Sequence, residues 1–400
     1  MSVILSIVLT LWIAIAVFNA VTAWRYARGI PFAEVPQATL SAAIIVAIKG
    51  ASDASLSCFR RLRHQTYPDY RVIAAIESEQ DPAFAMLAKE KNAPGAPLQI
   101  VIAGQSENTG QKVWNLLAAL DALDARDELV VFTDADTLPS ANWLAQLAAS
   151  LINPGREAVT GYRWIIPADS RLGSAIVAAA NASIVTLPRL PSVINHFWGG
   201  TMVMRRKTLE RIDIRRNWNG AISDDTQMTR AFSRAEIPIF SPQQSLLLSP
   251  VSMSLREAFA FGKRQYRILW FEARTLWILA ALFTVFPIVA AVTALSLVVR
   301  GNFYALAAIV AVALLGDIRH KSRRKIAEAL WGEEAIVKNE FYWRVERWLR
   351  PLWWSFHALC IFSALGSRHI HWAGVDYWIR GPQNVEVSRP QAEETATRSR

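Results

Sequence analysis

Long uninterrupted apolar stretches lie towards both ends of the chain, with short ones between them. Val3–Trp24 contains no charged residue and is long enough to cross a bilayer as one helix. No basic segment precedes it and no clear small-residue cleavage site follows it, so we expect a retained anchor (residues 3–24) rather than a cleaved signal peptide. Arg25 and Arg28 follow this stretch, so the positive-inside rule predicts that the chain from residue 25 onward faces the cytoplasm.

Between residues 39 and 270 the pattern changes to short Val- and Ile-rich runs that alternate with helical periodicity. Four runs resemble buried strands: Ala42–Ile48, Arg71–Ile76, Leu98–Ala103 and Glu128–Thr133. Ser55–His64 and Asn115–Leu123 are the best intervening helices. Continuously apolar strands alternating with helices are typical of a parallel sheet covered on both faces. The pattern predicts an α/β domain with a nucleotide-binding layout.

The chain from residue 271 to 380 has the pattern of a second membrane region. Leu276–Val299 is apolar throughout and long enough to span. The shorter apolar stretches 303–316 and 352–366 fit a span or an interfacial helix, and the basic, Trp-bearing stretch 318–350 predicts a helix on the membrane surface. The number of crossings after residue 276 therefore stays open. The polar tail 381–400 is expected to be disordered.

Composition and charge support a membrane protein. The chain is 52% hydrophobic and contains 16 Trp, a residue enriched at membrane–water interfaces. Its net charge of +10 is concentrated beside apolar runs and in Arg319–Arg324, which favours contact with anionic lipid over nucleic acid. Cys58 and Cys360 lie far apart, and neither belongs to a CxxC pair, so we expect neither a disulfide framework nor a zinc site.

The first candidate for chemistry is a pair of aspartates that follows a predicted strand. Asp134 and Asp136 stand at positions i and i+2 after the run that ends at Thr133. Ligands of open α/β sheets bind at the strand ends, and two carboxylates there can converge on one Mg²⁺ or Mn²⁺. Such a cation would neutralise a diphosphate leaving group. The same motif alone also fits a solvated turn that caps the next helix.

A second acidic pair, Asp224-Asp225, opens a later helical pattern. The positive end of a helix dipole favours carboxylates there, so a capping role is one interpretation. The other makes Asp225 a general base that takes the proton of an acceptor hydroxyl in an inverting sugar transfer.

A third segment, Phe261–Trp270, combines basic and aromatic residues just before an apolar run. Arg264 and Arg267 are suited to diphosphate oxygens, and Tyr266 or Trp270 could stack on a sugar. A belt of basic and aromatic residues at the membrane surface is the alternative. A softer candidate is the turn Gly199-Gly200, which would permit close approach of a sugar to the backbone, although a tightly packed turn fits equally well. The neighbouring His196 fits a hydrogen-bonded structural role better than a catalytic one.

Taken in order, these motifs resemble the inverting GT-A glycosyltransferases, and within them the ceramide glucosyltransferase-like family. The resemblance runs from the N-terminal anchor to about Tyr377. It includes Lys49-Gly50 after the first strand, the acidic residue of Asp81-Pro82-Ala83, the Lys-x-x-Asn pattern of Lys112–Asn115, the aspartates of the strand end, and Gly199–Arg205. Five short motifs in register make the resemblance specific.

The resemblance implies a fold, a reaction and a set of roles. The fold is a GT-A, Rossmann-like nucleotide-sugar-binding domain with flanking transmembrane and interfacial helices. The reaction transfers a hexose from a UDP-sugar to a lipid hydroxyl such as that of ceramide, with a divalent cation as cofactor and Asp225 as base. The donor residues that it implies are Lys49, Asp81, Lys112, Asp134, Arg264 and Arg267; Asp134 and Asp136 would hold the metal, and Gly199, Gly200 and Trp270 would lie on the acceptor side.

One signature of that family is only partly present. Arg264-Gln265-Tyr266-Arg267 matches the first four positions of (Gln/Arg)-x-x-Arg-Trp, but Ile268 stands where Trp is expected, and Trp270 comes two residues later. His371–Gly374 followed by Tyr377 resembles a degraded form of the family's last motif.

Three alternative functions stay open at this point. A polysaccharide synthase of the same fold would need more membrane helices for a polymer channel than this chain predicts. A transferase acting on a hopanoid or polyprenyl lipid would share every motif above. A decayed, non-catalytic membrane scaffold is disfavoured by the aspartates and arginines that the chain retains.

Overall fold

The computed structural model describes residues 3–29, 40–152, 155–186 and 195–389. These residues form an α/β domain, a bundle of long apolar helices, and a small C-terminal sheet that packs back against the α/β domain. The described part of the predicted tail is short, because residues 390–400 lie outside the described residues.

A seven-stranded mixed sheet forms the centre of the α/β domain. Its strand order is β3-β2-β1-β4-β7-β5-β8, in which β1 to β4 are parallel, β7 is antiparallel to both neighbours, and β5 is parallel to β8. The strands are β1 (Ala42–Ala47), β2 (Tyr70–Ile76), β3 (Leu98–Ile102), β4 (Leu129–Asp134), β5 (Ala158–Thr160), β7 (Met202–Arg205) and β8 (Ile239–Phe240). A separate parallel pair, β6 (Tyr162–Pro167) and β9 (Leu246–Val251), lies beside them. The predicted parallel α/β fold is confirmed.

Helices cover both faces of this sheet. They are α2 (Asp53–Arg63), α3 (Pro82–Lys91), α4 (Gln111–Leu120), α5 (Trp143–Ser150), α7 (Arg206–Arg211), α8 (Ile214–Trp218) and α9 (Asp224–Arg234), whereas α6 (Leu172–Val185) packs against β6. Successive residues of a strand point to opposite faces, so Ile44 and Val46 enter one buried core while Ile45 enters the other. This two-sided burial explains why the strands are apolar throughout.

The strand order fixes the position of the site. From β1 the chain moves outward to β2 and β3, and then returns to add β4 on the other side of β1. Ligands of open α/β sheets bind at the carboxyl ends of the strands where the order reverses. Ala47 at the end of β1 pairs with Asp134 at the end of β4, so Asp134 lies at this reversal.

Three helices of the described chain are long and apolar enough to cross a membrane: α1 (Val3–Arg28), α11 (Arg274–Val299) and α12 (Phe303–Trp331). Thr10 Oγ1 of α1 lies 2.9 Å from the hydroxyl of Tyr304, near the start of α12. Tyr26, near the end of α1, shares a buried cluster with Ile326 and Ala327 of α12. α1 and α12 therefore run in the same direction, and both end on the side where α11 begins.

The region after α12 differs from its predicted organisation. α12 continues as one helix to Trp331, although a break was expected between residues 316 and 318, because its polar end finds partners on the next helices. Asp317 binds Arg347 and Arg323 binds Glu346, both on α14 (Glu340–Trp348). The short α13 (Glu333–Val337) precedes α14, and α15 (Arg350–Ser363) follows it. With 14 residues, α15 is shorter than the helices that could cross.

The C-terminal sheet is the largest departure from the predicted layout. It consists of the antiparallel strands β10 (His369–Trp372), β11 (Val375–Gly381) and β12 (Asn384–Ser388), where a membrane region to residue 380 and a disordered tail from 381 were expected. Alternate apolar residues of β11 and β12 pack with Ile222 of the α/β domain, which supplies the burial that a free tail would lack. The hydroxyl of Tyr377 accepts a hydrogen bond from the backbone N–H of Gln111, 3.2 Å away.

Candidate active site

The two strand-end aspartates lie in different surroundings. Asp134 ends β4 with 22% of its side chain exposed, and its Oδ1 lies 2.6 Å from Nζ of Lys112. Asp136 is in the following turn with 62% of its side chain exposed, and its Oδ2 lies 2.8 Å from Nη2 of Arg163. Each carboxylate thus has one cationic partner, and Asp136 remains open to solvent.

Lys112 joins the two acidic pairs that are distant in sequence. It lies in the first turn of α4, and its Nζ also lies 3.0 Å and 3.1 Å from the two carboxylate oxygens of Asp224. Asp224 is buried at the start of α9. One ammonium group therefore holds the end of β4 and the start of α9 together, which brings the predicted metal motif and the predicted base motif to one edge of the sheet.

The two carboxyls that share Lys112 have pKa shifts in opposite directions, although the lysine lowers the pKa of both. Burial opposes the charge of Lys112, but Asp134 and Asp224 outweigh it and raise the pKa of the ammonium group. Burial raises the pKa of Asp224 to about 6, with Asp225 and Asp134 adding to it and Lys112 opposing. For Asp134, the charges of Lys112 and Arg163 overcome burial and lower the pKa. Asp134 is therefore the carboxyl that stays ionised.

Asp225 has different hydrogen-bond partners from those of Asp224. Its Oδ2 accepts a hydrogen bond from the backbone N–H of Gly199 at 3.1 Å. Its Oδ1 accepts bonds from the N–H of Thr226 at 2.7 Å and from the hydroxyl of Ser223, the N-cap of α9, at 2.5 Å. These contacts hold the carboxylate towards the Gly199-Gly200 turn, and they combine helix capping with a defined orientation.

The two glycines of that turn are required by close packing. A Cβ atom on Gly199 would lie 2.8 Å from Oδ2 of Asp224 and 2.9 Å from Nζ of Lys112. A Cβ atom on Gly200 would lie 2.1 Å from the ring of Trp198. At this turn the backbone therefore packs directly against the charged groups of the site, with no side chain between them. The neighbouring His196 is exposed.

Arg163 is a site residue that the sequence analysis missed. It lies on β6, where it is the only charged residue in a Tyr-Arg-Trp-Ile-Ile-Pro run. Its Nη2 donates to Asp136 and also to Oγ of Ser249, 2.9 Å away, and its guanidinium carbon lies 5.5 Å from the centroid of the Trp198 ring. Its Nε is buried and has no partner among the described residues. The sequence feature that could have identified Arg163 is its position as a lone arginine within an apolar strand.

Three of the predicted site residues, Arg264, Arg267 and Trp270, lie on α10 (Leu255–Glu272), each in a different environment. The Arg264 guanidinium lies 5.5 Å from the ring centroids of both Phe261 and Trp372, and among the described residues it makes no hydrogen bond or ion pair. Burial, and then the like charge of Arg163, lower the pKa of Arg264, while Asp136 opposes them. Arg264 therefore interacts electrostatically with Asp136 and Arg163, and its N–H groups make no hydrogen bond with the described residues.

The structure does not bring Arg267 and Trp270 to the same pocket. Arg267 is buried, and its guanidinium donates to the carbonyls of Ser363, at 3.3 Å, and of His369. Trp270 packs edge-on against Trp277 of α11 at 4.8 Å between centroids, and Arg274 lies 4.3 Å above its ring. Both residues therefore connect α10 to the C-terminal segment or to the membrane helices.

Lys49 and Asp81 lie at the carboxyl ends of β1 and β2. Nζ of Lys49 lies 3.3 Å from Oε2 of Glu77. Oδ1 of Asp81 caps α3 by accepting from the N–H of Ala83 at 2.8 Å, and it also accepts from the N–H of Gly50 at 2.7 Å. Asp81 therefore fixes the Lys49-Gly50 turn beside the reversal of the strand order.

Among the described residues, no three or more His, Cys, Asp or Glu side chains surround a single metal position. Asp134 and Asp136 are a pair of carboxylates at one strand end, and Asp136 is largely exposed. Mg²⁺ is often held by one or two carboxylates, with substrate phosphates and water completing its shell. The donor set therefore fits a cation that arrives together with a diphosphate.

Comparison with known proteins identifies the family. The family model described as "Glycosyl transferase family 21" matches residues 7–385, nearly the whole chain. The chain belongs to this family. The resemblance to ceramide glucosyltransferases inferred from the sequence motifs is confirmed, and this member of glycosyl transferase family 21 is a glycosyltransferase.

Several solved structures are similar to this family 21 protein. The mannosyltransferase PcManGT from Pyrobaculum calidifontis, in complex with GDP-Man and Mn²⁺, is 18% identical, with a TM-score of 0.48, over 90% of this chain and 97% of that chain. Glucosyl-3-phosphoglycerate synthase from Mycobacterium tuberculosis, with Mn²⁺, UDP and its product, is 14% identical, with a TM-score of 0.39, over 60% and 84%. S. aureus TarS in complex with UDP-GlcNAc is 14% identical, with a TM-score of 0.40, over 78% and 92%. No curated protein matches the sequence.

Proposed function

We propose that this family 21 glycosyltransferase transfers a hexose from a UDP-sugar to the hydroxyl of a membrane lipid of the ceramide type, with inversion at the anomeric carbon. The observation that carries the proposal is the Lys112 bridge, because it joins Asp134 of the donor side to the start of α9, where Asp225 lies. The UDP-sugar and the ceramide-like acceptor are the classes that the family resemblance implies.

The donor diphosphate would lie beside Asp136. Arg163 and Arg264 share this region, and both have nitrogen donors without partners among the described residues. A guanidinium group can bind phosphate oxygens with two parallel hydrogen bonds. Arg163 would then donate some of its hydrogen bonds to the diphosphate instead of to Asp136. Lys49 and Asp81, at the ends of β1 and β2, are proposed to border the nucleotide.

Asp136, with Asp134 behind it, would hold a divalent cation, Mg²⁺ or Mn²⁺. When bound, the cation supplies positive charge that stabilises the diphosphate as it departs. Lys112 keeps Asp134 ionised, since the pKa of that carboxyl is lowered chiefly by the lysine against the effect of burial. Arg163 orients Asp136 through the 2.8 Å bond to its Oδ2.

Asp225 is proposed as the general base. A base must lie within hydrogen-bond reach of the proton that it takes, and it must be oriented. The Gly199 N–H and the Ser223 hydroxyl orient the carboxylate. The acceptor oxygen would lose its proton to Asp225 as it attacks the anomeric carbon, while the bond to the diphosphate breaks on the opposite face.

The membrane supplies the acceptor in this proposal. α10 carries Arg264 and leads within a few residues into α11, so the donor pocket lies close to the bilayer. Arg25 and Arg28 end α1 on the same side as Arg274, which supports a catalytic domain that faces the cytoplasm. A lipid can present its hydroxyl at that surface without leaving the membrane.

Membranes containing the full chain test the proposal. Labelled UDP-hexoses are incubated with these membranes and Mn²⁺, and the extracted lipids are analysed by mass spectrometry. A ceramide-type product with one added hexose is expected for the wild type and for Asp121→Asn, whose carboxyl is 73% exposed on the surface, but not for Asp225→Asn. A labelled hopanoid, polyprenyl lipid or polymer would contradict the acceptor assignment, and no product with any UDP-hexose would contradict the donor.

A further inference from the structure

A second cluster of charged groups lies where α12 leaves its apolar stretch, and the sugar transfer does not use it. Four arginines gather here with two carboxylates: Arg319, Arg323, Arg347 and Arg350 with Asp317 and Glu346. We name this group the α12–α14 arginine cluster. It contains two more positive charges than negative charges, apart from His320.

Partners within the cluster satisfy only some of the arginines. Arg347 and Arg350 share Asp317, at 2.8 Å and 3.3 Å, and Arg323 takes Glu346 at 2.7 Å. His320 binds the other oxygen of Glu346. Neither carboxylate accepts a hydrogen bond from Arg319.

Arg319 is therefore a buried cation that makes no hydrogen bond or salt bridge with any of the described residues. Only 8% of its surface is exposed, its Nε is buried, and no described residue accepts a hydrogen bond from its guanidinium group. An unpaired charge of this kind is strongly destabilising unless an anion compensates it. Nε of Arg350 is likewise buried and without a partner among the described residues.

The local backbone brings these two arginines together. Gly316 lies one turn before Arg319 on α12, and a Cβ atom at Gly316 would lie 1.7 Å from Nη1 of Arg350. The glycine thus lets the Arg350 side chain lie directly against α12, next to Arg319. Three like charges, on Arg319, Arg323 and Arg350, consequently face one another, an arrangement that suits a bound anion with several oxygen atoms.

The cluster begins where the apolar stretch of α12 ends. Asp317 is the first charged residue of this helix, and Arg319 follows two residues later. Long arginine side chains near the end of a membrane-crossing segment can extend to the membrane interface. Trp348 beside it is 67% exposed, and Leu349 and Leu352 are also exposed. Exposed Trp and Leu next to arginines are typical of a surface that rests on the membrane interface.

We propose that the α12–α14 arginine cluster binds the phosphate of an anionic glycerophospholipid, with Arg319 and Arg350 as its principal donors. Basic pockets between membrane helices recognise lipid headgroups in this way. The bound lipid would fix α12 against α14 and α15 next to the bilayer. The site is separate from the donor pocket and does not depend on which sugar or acceptor the enzyme uses.

The test uses the full-length protein in a neutral detergent. Its thermal unfolding is followed while short-chain phosphatidylglycerol, short-chain phosphatidylcholine or inorganic phosphate is titrated. We compare the wild type with Arg319→Gln and with Arg344→Gln, a matched control on α14 whose side chain is 72% exposed. Phosphatidylglycerol should stabilise the wild type and Arg344→Gln alike, and it should bind Arg319→Gln about tenfold or more weakly.

Two further results separate this site from general charge effects. Without lipid, Arg319→Gln should unfold at the same temperature as the wild type or higher, because it removes an unpaired charge, and both should bind UDP equally. Equal phosphatidylglycerol affinity in all three proteins, or equal loss in both variants, would overturn the proposal. If inorganic phosphate stabilises the protein as much as phosphatidylglycerol at the same concentration, the site binds a free anion. That result would overturn the assignment of the ligand as a lipid.

A second measurement tests the proposal even if the Arg319→Gln variant does not fold. Native mass spectrometry of the wild-type protein should show one retained anionic glycerophospholipid per chain. Only zwitterionic lipid, or none, would contradict the site.

Discussion

The two charged clusters of this protein have opposite compositions. At the sheet edge, four carboxylates of the acidic motifs (Asp134, Asp136, Asp224 and Asp225) meet Lys112, Arg163 and Arg264. In the α12–α14 arginine cluster, two carboxylates meet four arginines. The first cluster has a largely exposed carboxylate, and the second has a buried arginine that makes no hydrogen bond with any described residue. The first is suited to a cation with a diphosphate, and the second to an anion alone.

The comparison also teaches how each cluster is held in place. Lys112 fixes the sheet-edge cluster from within, and glycines that cannot accept a side chain border it. At the α12–α14 arginine cluster, a Cβ atom on Gly316 would meet only the end of the long Arg350 side chain. We therefore expect substitutions at the first cluster to have the larger effects.

The largest expected effect is on catalysis at Asp225. Asp225→Asn keeps the shape of the side chain but cannot accept the proton, so the rate of sugar transfer should fall by about 10²- to 10⁴-fold. Initial rates with saturating donor measure this, together with UDP binding, which should not change. A rate within twofold of that of the wild type would remove Asp225 as the base.

The next effect concerns the shared lysine. Lys112→Met leaves Asp134 and Asp224 facing each other without their cation, and removing one partner of a buried ion pair costs about 3–5 kcal/mol of unfolding free energy. Denaturant unfolding in detergent measures it. Lys207→Met, at an exposed lysine, is the control and should have little effect. Equal stability of both variants would mean that Lys112 does not hold the cluster.

A pH dependence should follow from Asp224. Because burial raises the pKa of this carboxyl to about 6 in the folded chain, the folded state binds more protons than the unfolded state between about pH 4 and pH 6. The stability contributed by the protonated form is present below that window and is lost as the pH rises through it, by up to about 3 kcal/mol. Asp224→Asn should flatten this slope. An unchanged slope in the variant would assign the titration to another group.

Two glycine substitutions compare the rigidity of the clusters directly. Gly200→Ala drives a Cβ atom into the Trp198 ring and should cost about 1–3 kcal/mol of stability. Gly316→Ala meets only the end of the Arg350 side chain, which can move, and alanine favours a helix by about 1 kcal/mol over glycine. Its net change should therefore stay within about 1 kcal/mol. Thermal unfolding of both variants checks this, and the reverse order would contradict the contrast.

Much of the α/β domain could be predicted because its strands are buried on both faces. Their Val- and Ile-rich runs predicted β1 to β4, and the carboxyl end of the last run predicted Asp134. Asp224-Asp225 was also found from its position at a helix start. Local patterns were sufficient where burial and capping decide the structure.

Other features depend on contacts that a local pattern does not contain. Arg163 lies on a strand that pairs with β9, more than eighty residues later, and its partner Asp136 comes from a third segment. The strands β10 to β12 look polar in sequence because only their alternate residues are buried, against Ile222. Arg267 matched a motif, but the carbonyls of Ser363 and His369 determine where its guanidinium group lies.

The anomeric configuration of the glycolipid product tests the central claim most directly. If Asp225 takes the proton while the diphosphate leaves from the opposite face, a UDP-α-hexose must yield a β-linked lipid. Proton NMR of the product isolated from wild-type membranes should then give the large anomeric coupling of a β-glucoside or β-galactoside. An α-linked product would contradict the account, because retention requires a mechanism that a single base at Asp225 does not provide.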